Sequence, residues 1–165
     1  MNLIDGIDGL SSGIFIIFTL SMIILLQFMP IISNQYFILI GIAFGSILAF
    51  FIINLPPAKL FIGDAGSQLL GWIMAISLTH LSSFFEFNYQ RVYLFSFLAI
   101  PLYDVIAVMI FRFKQTHSSF ATRIISIVNP DQNHIHHIIL KNNISKHNTL
   151  IILLMLFLLT SMISL

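Results

Sequence analysis

The sequence predicts an all-α protein, a polytopic membrane helix bundle of about five transmembrane helices with its N-terminus in the cytoplasm. Three observations predict it. Charged residues make up 8% of the 165 and hydrophobic ones 58%, whereas a soluble domain covers itself with about 25% charged residues. Apolar runs of membrane-crossing length recur along the chain, parted by short polar clusters. Basic residues gather on alternate connections. With a mean hydropathy of +1.01, lipid is the solvent for most of this chain.

Other totals exclude function classes. A formal charge of +1 gives no basic surface for nucleic acid. The absence of cysteine rules out disulfides and thiolate metal sites. No signal peptide is expected, because Asp5 and Asp8 precede the first apolar run and no basic segment comes before it. The chain reads as one membrane domain over 1–165, without internal repeats.

A helix needs roughly 20 apolar residues to cross about 30 Å of hydrocarbon. From Gly9 to Ala58 no side chain is charged, and Pro30, Ser33, Asn34 and Gln35 divide that run into spans at 12–32 and 36–54. Pro56-Pro57 ends the second, since neither proline supplies an N–H to continue a helix. A third span covers 66–85, up to Glu86, and a fourth covers 92–111 with Pro101 and Asp104 inside it. A polar cytoplasmic loop, 112–148, precedes a last span at 149–165.

Orientation follows from the retention of basic residues on the cytoplasmic side. Lys59, Arg112, Lys114, Arg123, Lys141 and Lys146 fall on the face of the N-terminus, and only Arg91 falls opposite. Asp5, Asp8, Asp64 and Asp131 fall on the same face, as do five of the six histidines. The chemistry is therefore expected at the cytoplasmic surface.

Three motifs could carry it. In Asn2-Leu3-Ile4-Asp5-Gly6-Ile7-Asp8-Gly9-Leu10, the spacing of Asp5 and Asp8 puts both carboxylates on one face of a helical turn. Two close acids can bind Mg²⁺ or organise a base; the same residues also suit a pair of Asp-Gly turns at the head of the first span. In Lys59-Leu60-Phe61-Ile62-Gly63-Asp64-Ala65-Gly66-Ser67, a glycine-flanked acid enters a helix whose N–H groups and dipole attract phosphate. Ser67 as a plain N-cap is the alternative there. In His134-Ile135-His136-His137, His134 and His137 share a helical face. Zinc would need four ligands, and only Asp131 lies near, so recognition of a nucleotide or its phosphates competes with metal binding. The lone His80, His117 and His147 read as local hydrogen-bonding groups. Asp104, roughly 10 Å inside its span at 1.5 Å per residue, reads as a supporting polar group.

In this order and on this face, the motifs closely resemble the polyprenyl-phosphate N-acetylhexosamine-1-phosphate transferase family, glycosyltransferase family 4. Its members begin peptidoglycan, O-antigen, enterobacterial common antigen and teichoic acid assembly. Residues 2–10 resemble its central aspartate motif, 56–67 its glycine-aspartate loop and 130–137 its histidine motif. The resemblance implies transfer of a sugar 1-phosphate from a UDP-sugar to a polyprenyl phosphate, with release of UMP and a requirement for Mg²⁺, in the bacterial cytoplasmic membrane. It implies that Asp64 holds the metal. Asp5 and Asp8, the other implied catalytic acids, line the diphosphate site with Asn2, and Asn54 lies near the nucleoside. His134, His136 and His137 contact phosphate or uridine. The paired prolines and His-Ile-His-His look more like the N-acetylglucosamine or O-antigen branch than the peptidoglycan enzyme.

Family members have ten or eleven spans and an aspartate-rich motif in their first half. Here the chain starts at the central motif, and 116–127 is longer and less regular than in the family. It therefore resembles the C-terminal half of such an enzyme, implying a separate N-terminal half or a homo-oligomer as partner. A non-catalytic fragment or subunit is the second reading. A divalent-cation transporter is the third and fits least, because transport predicts ionisable groups spread across the membrane.

The topology makes a direct prediction. A cysteine placed at Ser119 is labelled by impermeant maleimide only from the cytoplasmic side, and one at Asn88 only from outside; labelling of both from one side overturns the orientation.

Overall fold

The computed structural model describes residues 6–28, 34–84, 96–98, 102–103, 106, 109–110, 139–140 and 144–162. Among them there is helix and turn but no strand. Four long helices organise them: α1 (Leu10–Gln27), α2 (Asn34–Asn54), α3 (Gly63–Ser82) and α4 (Lys146–Met162). Of the expected fourth span, 96–98, 102–103, 106 and 109–110 are described and helical. Asp104, His117 and 112–138 of the loop lie outside the described residues.

The helices start earlier than the hydrophobic runs suggested, for local reasons. At α4, the Asn148 N–H donates to Ser145 Oγ at 3.2 Å, and the Thr149 N–H donates to the Ser145 carbonyl at 2.9 Å. The Ser145 hydroxyl thereby answers an orphan donor of the first turn and its carbonyl takes the first helical bond, so the helix starts at Lys146 and not at 149. At α3, Asp64 stands in the first turn, where the helix dipole favours an anion. Ser67 is consequently inside the helix, its hydroxyl donating to the Asp64 carbonyl at 3.1 Å, not at its cap. The other end of α3 stops at Ser82, with Ser83 and Phe84 in a turn.

Helix α1 is the pillar, with twelve buried residues among its eighteen. It packs on α2 most extensively, then α4, and more lightly on α3. Its buried Phe15 and Phe18 continue into Phe97 and Phe157. Phe18 meets Phe97 edge-on at 5.4 Å, and Phe97 lies 6.4 Å from Phe157. One residue of the fourth span is thus held between α1 and α4. Thr19, buried in this apolar column, closes its own hydrogen bond on the Phe15 carbonyl at 2.9 Å.

Helix α2 contrasts with this pillar and is consistent with a lipid surround. Only Ile40, Ile47 and Asn54 are buried in that helix. Phe37, Ile38, Leu39, Ile42, Leu48, Ile52 and Ile53 all point outward. Leaving such side chains in water forfeits about 1.5–3 kcal/mol each; against acyl chains it costs nothing. Both α1 and α2 have the length and apolarity to cross a membrane, and the architecture is a membrane helix bundle.

Close approach fixes α4. A Cβ added at Gly13 would stand 2.8 and 2.9 Å from the Leu154 δ-carbons and 3.2 Å from Phe51, and one at Gly9 would stand 3.2 Å from Leu150. Small residues let membrane helices meet backbone to side chain in this way. Because Leu150 opens α4 and Gly9 precedes α1, these two helices start at the same end and run in parallel. At the opposite end, Tyr36 of α2 donates to the Ser77 carbonyl of α3 at 3.3 Å, and its ring lies 4.8 Å from His80. His80 is engaged there by ring contacts to Tyr36 and Phe84.

Gly13→Ile is expected to destabilise the detergent-solubilised chain by roughly 1–3 kcal/mol through overpacking, read as a lowered thermal midpoint. Combining it with Leu154→Ala recovers much of that loss. If the double variant melts no higher than Gly13→Ile alone, the α1–α4 contact is not what the glycine serves.

Candidate functional site

The site is built around one carboxamide. Asn54 is the last residue of α2 and is 4% exposed. Its Oδ1 accepts from the Gly9 N–H at 3.0 Å and from the Ser12 hydroxyl at 2.9 Å. Its Nδ2 donates to the Leu60 carbonyl at 2.8 Å. Because a backbone N–H can only donate, the orientation of the amide is chemically determined. One side chain, 45 residues from Gly9 in sequence, thereby joins the turn before α1 to the loop before α3.

Each joined segment has its own geometry. Leu10 N–H donates to the Ile7 carbonyl at 3.1 Å, closing a turn with Gly9 in its third position at φ 82°, ψ −8°. That left-handed conformation is easy for glycine and strained for other residues. Asp8 is the second residue of this turn, half-buried. One of its oxygens, Oδ2, accepts from the Ala58 N–H at 3.3 Å. In the loop, the Pro56–Pro57 peptide is cis, and the Lys59 N–H turns back to the Ile53 carbonyl at 3.0 Å. Gly63, at φ 67°, then starts α3.

Asp64 is exposed in the first turn of α3, and no side chain caps that helix end. It follows Leu60 by four residues, which limits their separation to about 14 Å at full extension. The half-buried Asp8 carboxylate and the Asp64 helix end therefore belong to one end of the bundle, where α1, α3 and α4 begin and α2 ends. Lys59 is exposed on the same loop.

Oxygen donors of this kind suit a hard cation. Mg²⁺ is held by one or two carboxylates, keeps several waters and shares phosphate oxygens. Carboxylates such as Asp8 and Asp64 are donors of that chemistry, and among the described residues no three acids, histidines or cysteines stand together as a closed cage.

The structure thus brings together Asp8, Asn54 and the segment bearing Asp64. Asn2, Asp5, His134, His136 and His137 lie outside the described residues. Asn54 is placed beneath the turn, with both ends of its amide engaged by protein. The residue that sequence reasoning missed is Ser12. Its signal was a hydroxyl in the first turn of a mostly apolar span, on a helix whose neighbour ends in an amide that needs partners.

Residues 1–82 match the model of glycosyl transferase family 4. A probable undecaprenyl-phosphate N-acetylglucosaminyl 1-phosphate transferase of Bacillus subtilis is 31% identical over 93% of this chain and 40% of its own length. An undecaprenyl-phosphate alpha-N-acetylglucosaminyl 1-phosphate transferase of Yersinia pestis is 30% identical over 98% of this chain and 43% of its own. A phospho-N-acetylmuramoyl-pentapeptide-transferase of Streptococcus uberis is 46% identical, over 46% of this chain and 22% of its own length. The chain spans well under half the length of these relatives, and no solved structure matches it. The family match covers the Asp8 turn, Asn54 and the Asp64 helix start together, and similarity to the Bacillus and Yersinia transferases continues through nearly all of the remainder. The chain belongs to glycosyl transferase family 4.

Proposed function

We propose that this chain forms the donor and metal side of a transferase that moves a sugar 1-phosphate, of the N-acetylhexosamine class, from a UDP-sugar to a polyprenyl phosphate at the cytoplasmic membrane face. The observation that carries the proposal is the Asn54 junction, which gathers Asp8 and the start of α3 at one end of a lipid-embedded bundle. In the reaction, an oxygen of the prenyl phosphate attacks the phosphorus attached to the sugar. The bond from that phosphorus to the bridging oxygen breaks, and UMP leaves with the electron pair. The products are a polyprenyl diphosphate sugar and UMP.

Such a transfer needs positioning and charge neutralisation more than covalent machinery. Asp64 would hold Mg²⁺, with Asp8 and Asp5 close to the diphosphate and Asn2 beside them. The cation supplies neutralisation of the charge that builds on the diphosphate. The uncapped N–H groups of α3 face that charge with the positive end of the helix dipole. The exposed apolar side of the bundle offers acyl-like surface to the prenyl chain while the diphosphate stays in water. His134, His136 and His137 would meet phosphate or uridine. Similarity to N-acetylglucosaminyl 1-phosphate transferases over 93% and 98% of this chain supports the N-acetylglucosamine branch.

The acceptor side is assigned to a separate segment, because the relatives are more than twice this chain's length. Purified chain with Mg²⁺, UDP-N-acetylglucosamine and undecaprenyl phosphate is therefore expected to release no UMP. Joining it to the part of the Bacillus subtilis relative that it does not match should give turnover, and Asp64→Asn should then lower it by at least about 100-fold. Robust Mg²⁺-dependent release by the chain alone overturns the assignment of half a site. Undiminished release by Asp64→Asn overturns the metal assignment.

A further inference from the structure

Ser12 lies in none of the three motifs, yet its side chain is fully buried at the centre of the junction. Hydroxyls inside helices usually bond back to the preceding turn. Thr19, Ser46 and Thr79 do so here, to Phe15, Ile42 and Ala75 at 2.8–2.9 Å. Ser12 departs from that habit. Its shorter contact, 2.9 Å, is to Asn54 Oδ1, and the local Gly9 carbonyl is farther, at 3.3 Å.

An amide oxygen has two lone pairs. At Asn54 one takes the Gly9 N–H and the other takes Ser12. Without the hydroxyl, the Gly9 N–H and the Leu60 carbonyl alone hold the amide. Losing one of three bonds loosens its aim at Leu60, and with it the hold on the loop leading to Asp64. Among the described residues, the Asp8 carboxylate reaches the same loop at the Ala58 N–H, at the longer distance of 3.3 Å.

We propose that Ser12 is a positioning residue of the site. By locking the Asn54 amide, it keeps the Asp8 turn and the Asp64-bearing loop in fixed register. Ser12 itself touches no substrate. The catalytic consequence rests on the transferase reading above; the geometric one does not.

The test uses spin labels at Gly6 and Lys59, both exposed, in the full chain reconstituted in lipid nanodiscs. A narrow label-to-label distance distribution is expected for the parent and a broadened one for Ser12→Ala, with helix content unchanged. Ser12→Cys, of similar size with a weak donor, should fall between them, and it replaces Ser12→Ala if that variant does not fold. In the assembly that releases UMP, Ser12→Ala should raise KM for the UDP-sugar about tenfold, the worth of one buried hydrogen bond, with kcat little changed. An unbroadened distribution, or a lower melting temperature with label distances unaltered, overturns the proposal by showing that the hydroxyl only fills space. Failure of every assembly to release UMP counts against the transferase reading, while the label distances still decide the role of Ser12.

Discussion

A carboxamide removed from both water and lipid must find all its partners in protein, and at Asn54 that requirement organises one end of the molecule. In a hydrocarbon setting an unpaired amide group costs several kcal/mol. The partners of Asn54 are drawn from the turn before α1, the first turn of α1 and the loop before α3. None of these segments has a core of its own. Their relative placement is the way this one side chain is satisfied, and the acids they bear come with them.

Packing prepares the ground for that junction. The α1 pillar supplies a column of buried aromatic and aliphatic side chains, and Gly9 and Gly13 let α2 and α4 come close to its N-terminal end. Gly9 serves twice. Its left-handed φ turns the chain into α1, and the lack of a side chain leaves its N–H open to Asn54. A residue with a Cβ there would strain the turn and press on Leu150 and Phe51.

Much of the fold was legible in the sequence because lipid imposes simple rules. The uncharged run from Gly9 to Ala58 gave two helices, and the prolines after Leu55 coincide with the end of α2 at Asn54. Boundaries were less legible, since hydropathy marks where lipid begins and not where hydrogen bonding begins. Ser145 and Asp64 start their helices three residues before the apolar runs. At the site, the acids could be singled out one by one, for carboxylates beside glycines are conspicuous. The Asn54–Ser12 bond could not, because no local pattern pairs two small polar residues 42 positions apart. That both ends of the Asn54 amide are engaged within the protein shows only in three dimensions.

The outward face of α2 ties its length to the thickness of the surrounding lipid. At 1.5 Å per residue, the 21 residues of α2 and 18 of α1 amount to roughly 31 and 27 Å. Lipids of different thickness tilt or stretch such helices at modest cost. Three hydrogen bonds anchor α2 at Asn54, and towards its other end Tyr36 meets α3 at the Ser77 carbonyl and the His80 ring. The acid-bearing end is thereby a hydrogen-bonded anchor for α2 as the bilayer around it thickens or thins.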